Sequence, residues 1–329
     1  MITLKAEDII FSFLNKGLCD IGICTAEGFE EEREAFCAVN DTLKGFVEQD
    51  IEKRIYPTLT MPEAKSIISV AFPYIKRMPQ KGDGLRVHIS MGAVGEDYHI
   101  SLKRILDEMA EELKNKFNAK CMVFVDTGPL SDRAVAVKSG IGYIGKNASL
   151  VSENGGSGVF LGYILTDLEL EKTKASDFTC GSCKKCILSC PTGAISEDGF
   201  CMEKCISYLT QKKGALTAEE MTLMGDEIFG CDVCHRVCPK TIVIDEEINK
   251  DDIFPLAEEI LKLDNKGFKE RFGNTAMSFR GRNIIRRNVI CALSNIKTEE
   301  SLALIKTYIN DESAAVRQTA LMALEKMEK

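Results

Sequence analysis

No apolar run in this 329-residue chain approaches the roughly 18 residues that a membrane-spanning helix needs, so no membrane association is expected. The first residues, MITLKAEDIIFSFLNKG, carry acids among their apolar positions and are followed by no small-residue cleavage site. They read as an amphipathic helix rather than a signal peptide, and the expected location is the cytoplasm. Net positive charge is also lacking: 42 Lys and Arg stand against 50 Asp and Glu, for a formal charge of −8. A general electrostatic attraction to nucleic acid is thereby excluded, and any such binding must use a local basic patch. Histidine is scarce, with three residues, and His88 and His235 read as surface or structural side chains rather than metal ligands. What remains is an ordinary soluble composition, 45% hydrophobic and 28% charged, in a chain long enough for about two or three domains.

Cysteine is the residue in excess. Fourteen of them in a chain with no export signal need an explanation. Disulfides do not persist in a reducing cytosol, so clustered thiols point to metal or redox chemistry.

Residues 1–170 mix helical and strand signals, which suggests an α/β or α+β domain. Ala64–Phe72 and Cys121–Val125 are β-rich apolar runs of strand length, and Ser101–Phe117 has apolar residues at helical spacing with Ser101 as its cap. Gly-rich loops at Lys81–Gly95, Gly140–Asn147 and Asn154–Gly158 are either plain turns or walls of a ligand pocket. Residues 171–245 hold the clustered cysteines. Residues 246–329 look helical, with segments at Asn283–Ile296, Glu299–Ile309 and Ser313–Met327. The last of these reads either as a HEAT-like repeat or as a helical cap.

Two runs carry the chemistry: Cys180-x2-Cys183-x2-Cys186-x3-Cys190-Pro191 and Cys231-x2-Cys234-x3-Cys238-Pro239. Two-residue gaps turn the chain around one face of a 4Fe–4S cubane, so the fourth thiolate must come from elsewhere. In the bacterial ferredoxin pattern the cysteine before proline serves the other cluster. The first cluster then takes Cys180, Cys183, Cys186 and Cys238. The second takes Cys190, Cys231, Cys234 and one of Cys201 or Cys205. Zinc is the alternative, but zinc sites use paired C-x2-C units rather than a continuous ferredoxin run. Cys19, Cys24, Cys37, Cys121 and Cys291 are scattered and carry no assigned role.

The segment Val125–Asn147, VDTGPLSDRAVAVKSGIGYIGKN, resembles the epoxyqueuosine reductase family, cobalamin-dependent iron–sulfur enzymes that complete queuosine in transfer RNA and are related to reductive dehalogenases. The same resemblance continues through Gly156-Ser157, Phe160-Leu161-Gly162, the first cysteine run, Cys205-Ile206-Ser207-Tyr208-Leu209-Thr210 and Gly230-Cys231-Asp232-Val233-Cys234. Arg54-x-x-Pro57, Ala64–Ile68, Gly95-x-Asp97-Tyr98-His99 and Arg280–Asn288 extend it to nearly the whole length. It implies an α+β multidomain fold: an α/β cobalamin-binding domain, a ferredoxin-like domain with two 4Fe–4S clusters, and a helical HEAT-like domain that helps hold the tRNA. It also implies an external low-potential electron donor of flavodoxin or ferredoxin type, and a monomer is expected. In the family the cysteine of the CISYLT motif is a cluster ligand, which selects Cys205. Asp126 corresponds to the family's proposed proton donor. Arg54, Asp126, Lys146, Asn147 and Ser157 correspond to cobalamin contacts. No axial histidine is expected, since Leu102 stands where an Asp-x-His-x-x-Gly motif needs glycine.

The implied reaction, reduction of epoxyqueuosine to queuosine in tRNA, removes one oxygen as water and takes two electrons and two protons. Side chains cannot supply low-potential electrons, whereas clusters and a reduced cobalamin can. Asp126, between an apolar strand and Gly128-Pro129, is expected to be partly desolvated, with its carboxyl raised so that it stays protonated. Lys266–Ile290 holds seven basic residues against one acid, and Arg280, Arg282, Arg286 and Arg287 within it read as a tRNA-facing patch or as a solvated helix face. Two departures stand out. Ser90-Met91-Gly92-Ala93 replaces a family Ser-Arg-aromatic-Ala, and His235 replaces a glutamine. A cobalamin-dependent paralogue with another substrate, or a two-cluster ferredoxin-type electron carrier, are the alternatives.

Overall fold

The computed structural model of the chain describes residues 5–40 and 45–328, so the first four residues of the expected N-terminal helix lie outside it. The helix itself covers Ala6–Ser12 and passes into a 3-10 turn at Phe13–Lys16. The chain divides into two units: Met1–Tyr74, Tyr98–Cys183 and Cys238–Ile242 form one, and Ile75–Asp97, Lys184–Val237 and Val243–Lys329 form the other.

In the first unit four strands form one sheet in the order Asp20–Thr25, Ser66–Pro73, Val159–Thr166, Cys121–Phe124. Every pairing is antiparallel, which makes this half α+β in the strict sense. Ser66–Pro73 is an inner strand buried along most of its length, and its sequence accordingly reads as a continuous apolar run rather than an alternation. Helix Tyr98–Phe117 covers the sheet with Leu102, Leu106, Met109 and Leu113, all fully buried. Their spacing of four and three residues keeps them on one stripe, and each contributes about 1.5–3 kcal/mol of burial. The helix starts at Tyr98, three residues before Ser101. Ser101 is therefore an internal residue, not the cap.

The GIGYIGKN motif is a hairpin, with Gly142–Ile144 paired to Leu150–Ser152 and Lys146 and Asn147 at its tip. Gly142 has to be glycine, since a Cβ there would stand 2.3 Å from the Val151 carbonyl oxygen.

The second unit is mainly helical. Arg282–Ile296 is buried without a break from Ile285 to Ser294, and Glu299–Lys306 and Ala314–Met327 pack on it. Its apolar residues, Ile285, Val289, Ile290, Ala292 and Leu293, belong to one core with Val316, Ala320 and Ala323 of the last helix. Thr298 and Ser301 close the start of Glu299–Lys306 with a reciprocal capping box.

Candidate functional site

The cysteine runs fold as their spacing requires. The Cys183 amide donates to the Cys180 carbonyl, and the Cys190 amide to that of Cys186, across the short helix Lys185–Ser189. Cys234 lies in a second short helix, Val233–Arg236, which packs against the first. Cys205 caps Ile206–Gln211 and faces Cys234 and Cys190. Cys201 instead hydrogen-bonds Glu203 at 3.5 Å. In the first unit Tyr143 hydrogen-bonds Cys180 and lies close to Cys238 and Cys183. Burial, followed by the charge of Cys180, pushes its phenol up to about 12. Cys190 thus lies with cysteines that follow it by many residues, and Cys238 with cysteines of the first run. Among the described residues no disulfide joins any of the cysteines.

Among the described residues no three His, Cys, Asp or Glu side chains converge on a single-ion site. A cubane does not need that, because each thiolate binds a different iron and the sulfurs stand apart.

The hairpin separates two environments. Tyr143 faces the cysteines, while its neighbour Ile144 lines a cleft of about 570 Å3, as successive side chains of a strand point to opposite faces. Arg54, Tyr98, Asp126, Asp132 and Phe160 also line that cleft. A second cavity of about 600 Å3 shares Asp126, Gly128 and Pro129 with it, so the two adjoin. Tyr98 stacks on Phe160 with ring centroids 4.0 Å apart, giving the cleft an aromatic wall.

Asp126 follows the edge strand Cys121–Phe124 and holds a positive φ of 56°. It accepts a hydrogen bond from the Tyr98 hydroxyl at 2.7 Å, and His99 Nε2 stands 3.5 Å away. The expected rise of its carboxyl is corrected here. The hydrogen bond from His99 first, against a smaller opposing effect of burial and with Tyr98 adding to it, holds the carboxyl below its ordinary range. The strand pattern that led into Asp126 carried no trace of these two donors, which come from a distant helix.

The other expected cofactor contacts divide. Arg54 is buried, with its guanidinium 4.1 Å from the Phe36 ring centroid and Nη1 donating to Asn40. Lys146 reaches the carbonyls of Gly181 and Cys183 at 3.0 and 2.9 Å, toward the first cysteine run. Asn147 and Ser157 are buried and bonded to each other at 2.7 Å. The Ser157 amide in turn donates to Thr241, just beyond Cys238. Gly156 meets that segment so closely that a Cβ would stand 2.2 Å from the Lys240 carbonyl oxygen. Met91 is buried in its own unit, with its amide donating to Asp232 and its sulfur accepting from Lys76. His88 is likewise buried and bonded to Glu227 at 2.6 Å, a structural role.

The basic patch is also corrected. Arg287 is fully buried and donates to the carbonyls of Lys212 and Gly214 and to Asn288. Arg286 makes a buried bidentate pair with Asp311, and Arg282 pairs with Glu312. Counting charge along Lys266–Ile290 missed these acids because they lie outside the window in sequence. Arg286 and Arg287 hold the fold together and do not face a phosphate. Replacing Arg287 by methionine leaves the buried Asn288 oxygen and two part-buried carbonyls without their donor. The expected result in urea unfolding is a loss of about 3 kcal/mol, with RNA affinity unchanged in the folded variant. Arg280 differs, since its guanidinium lies 4.3 Å from the ring of Phe279, a side chain 66% exposed.

Sequence reasoning passed over Asp132 and Tyr143. Asp132 was hidden as an ordinary acid in the first turn of a helix, and Tyr143 as a filler between glycines.

Comparison with known proteins agrees with this arrangement. Residues 54–127 match the family described as Epoxyqueuosine reductase QueG, DUF1730, and residues 179–241 match the 4Fe-4S double cluster binding domain. Epoxyqueuosine reductase of Bacillus subtilis (strain 168) is 36% identical over 98% of this chain and 87% of its own length. That of Lactococcus garvieae (strain Lg2) is 37% identical over 94% and 92%. A crystal structure of epoxyqueuosine reductase with an epoxyqueuosine-modified tRNA-Tyr stem loop superposes with a TM-score of 0.91 at 35% identity, covering 98% of this chain and 90% of that one. A Bacillus subtilis structure whose aspartate catalytic loop is swung out of the active site gives 0.90 at the same identity and coverage. No described helix is long and apolar enough to cross a membrane. The chain, with its 4Fe–4S-type cysteine domain, belongs to the epoxyqueuosine reductase family of oxidoreductases.

Proposed function

We propose that this chain reduces the epoxide of epoxyqueuosine in tRNA to the alkene of queuosine. The observation that carries the reading is the hairpin, which sets the Cys180, Cys183 and Cys238 thiols and the Asp126 cleft on opposite faces of one strand. In the reaction both epoxide C–O bonds break, the oxygen leaves as water, and two electrons and two protons enter as the C=C bond forms. One cluster is assigned to Cys180, Cys183, Cys186 and Cys238, and the other to Cys190, Cys205, Cys231 and Cys234. The contact of Cys205 with Cys234 and Cys190 supports the second set.

The two adjoining cavities, with their aromatic wall and buried Arg54, fit a large flat cofactor of the cobalamin kind. Bound there, cobalamin would supply the low-potential chemistry that side chains lack. Arg54 and Asp126 would meet it in the cleft, with Lys146, Asn147 and Ser157 bracing the cysteine-bearing segments beside it. Asp126 is the proposed proton donor. Its carboxyl is ionised in the unliganded chain, and exclusion of water by a filled cleft raises its proton affinity.

Arg280 over the exposed Phe279 ring is the remaining candidate for an RNA contact, the arginine for phosphate and the ring for an unstacked base. The three-part division at 1–170, 171–245 and 246–329, the HEAT-like character of the last part, a flavodoxin- or ferredoxin-type donor, a monomeric state and a cytoplasmic location belong to the same proposal.

Anaerobic reconstitution with iron, sulfide and cobalamin tests it. The expected product carries about eight irons, takes up the corrinoid and turns over a modified tRNA stem loop. Irons without corrinoid would favour the electron carrier, and corrinoid uptake without turnover a paralogue with another substrate.

A further inference from the structure

The cleft contains a second carboxyl. Asp132 opens helix Asp132–Lys138, directly after its cap Ser131, whose hydroxyl accepts from the Ala134 amide. The side chain lines the same cleft as Asp126. Its Oδ1 is buried and has no hydrogen-bond partner, while the backbone amides of Asp132 itself and of Asp126 lie close enough to the carboxyl to favour its charged form. Asp126 meanwhile holds a left-handed backbone conformation, which costs a side-chain-bearing residue about 1–2 kcal/mol. Such a turn persists only where its surroundings hold it.

We propose that Asp132 is a positioning residue for Asp126, and that by accepting the Asp126 amide it keeps the Asp126–Leu130 loop turned into the cleft. The inference rests on Asp126 as proton donor and adds the group that keeps it in place. At its other end the loop is pinned by the Leu130 amide, which donates to the Tyr163 hydroxyl at 3.1 Å. Gly128 allows that approach, because a Cβ there would stand 2.1 Å from the same hydroxyl. One anchor is therefore a phenol and the other a titratable carboxyl. In the Bacillus subtilis relative the aspartate catalytic loop has been seen swung out, so in that protein the loop can leave.

The groups facing Asp132 are Asp126, Arg133 and Tyr163, and those facing Asp126 are His99, Tyr98 and Arg133. Burial first, then the Asp126 charge, pushes the Asp132 carboxyl up to about 8. Near neutrality Asp132 is thus protonated while Asp126 is ionised, as two adjacent carboxyls with divergent surroundings demand. As pH rises through that value the carboxylate becomes a better acceptor, but repulsion by the Asp126 charge outweighs that gain and the hold on the loop weakens.

The test uses Asp132→Ala and Asp132→Asn in the cluster-loaded, corrinoid-reconstituted chain. Alanine removes the acceptor, so kcat on the modified stem loop is expected to fall about 10²-fold with KM little changed. Asparagine keeps an oxygen acceptor and restores most of that loss. Hydrogen exchange of residues 126–130, corrected for the intrinsic rate, reads the anchor without turnover. It rises in the alanine variant, and in the wild type as pH passes about 8, but shows no such pH step in the asparagine variant. Equal protection in wild type and alanine, or asparagine as impaired as alanine, overturns the inference. If the alanine variant does not fold, the pH step in wild type against asparagine decides. Asp126→Asn separates the two claims. If it retains turnover, the proton-donor reading fails. If it is inactive while Asp132→Ala behaves as wild type, only the present inference fails.

Discussion

Replacing Cys205 by alanine is expected to lower the iron content of the anaerobically prepared chain from about eight to about four atoms, and to abolish turnover. The same change at Cys201 is expected to leave both intact. The two residues are four positions apart and chemically identical, and only their surroundings differ. Cys205 faces Cys234 and Cys190 from the start of a helix, where three thiols already lie together. Cys201 instead donates its thiol hydrogen bond to the Glu203 carboxylate. Iron and sulfide analysis of both variants, with the electron paramagnetic resonance spectrum of the reduced protein, checks the result. Full iron in the Cys205 variant with loss in the Cys201 variant would reverse the assignment.

Asp126→Asn is expected to reduce kcat by about 10²–10⁴-fold while leaving the affinity for the stem loop unchanged. The substitution keeps size and an oxygen acceptor for the Tyr98 hydroxyl, so the helix start at Tyr98 retains its partner. What it removes is the transferable proton. The oxygen that departs from the epoxide must collect two protons, and an amide supplies neither. Single-turnover kinetics separate this from a binding defect: a slow chemical step with an unaltered dissociation constant is the expected result. An unchanged rate would show that water or another group delivers the proton.

Much of the site was legible in the sequence because it rests on spacing. Thiolates around a cubane need fixed short gaps, and Cys180 to Cys190 carries them in one uninterrupted run. The strands at Ser66–Pro73 and Cys121–Phe124 were legible for a similar reason, as short apolar runs bounded by polar residues. Features set by side chains that meet only after folding were not. The Arg286–Asp311 pair joins residues 25 positions apart, and a window of sequence cannot balance a charge against a partner beyond its edge. Asp126 was expected to have its carboxyl raised by burial, yet it is held low by His99 and Tyr98 from another element. Asp132 looks like any acid in the first turn of a helix, where the backbone dipole favours one. Its burial against Asp126 is a property of the loop's closure, which no local pattern records.

Gly156 extends the list of residues on which the metal content depends. It has no sulfur and no charge, yet its bare backbone lies against Lys240 and Thr241, two and three positions after Cys238. Any side chain at that point would push the segment bearing Cys238 outward. A defect in iron loading could thus arise from a residue that never touches iron, and a survey confined to the cysteines would pass over its cause.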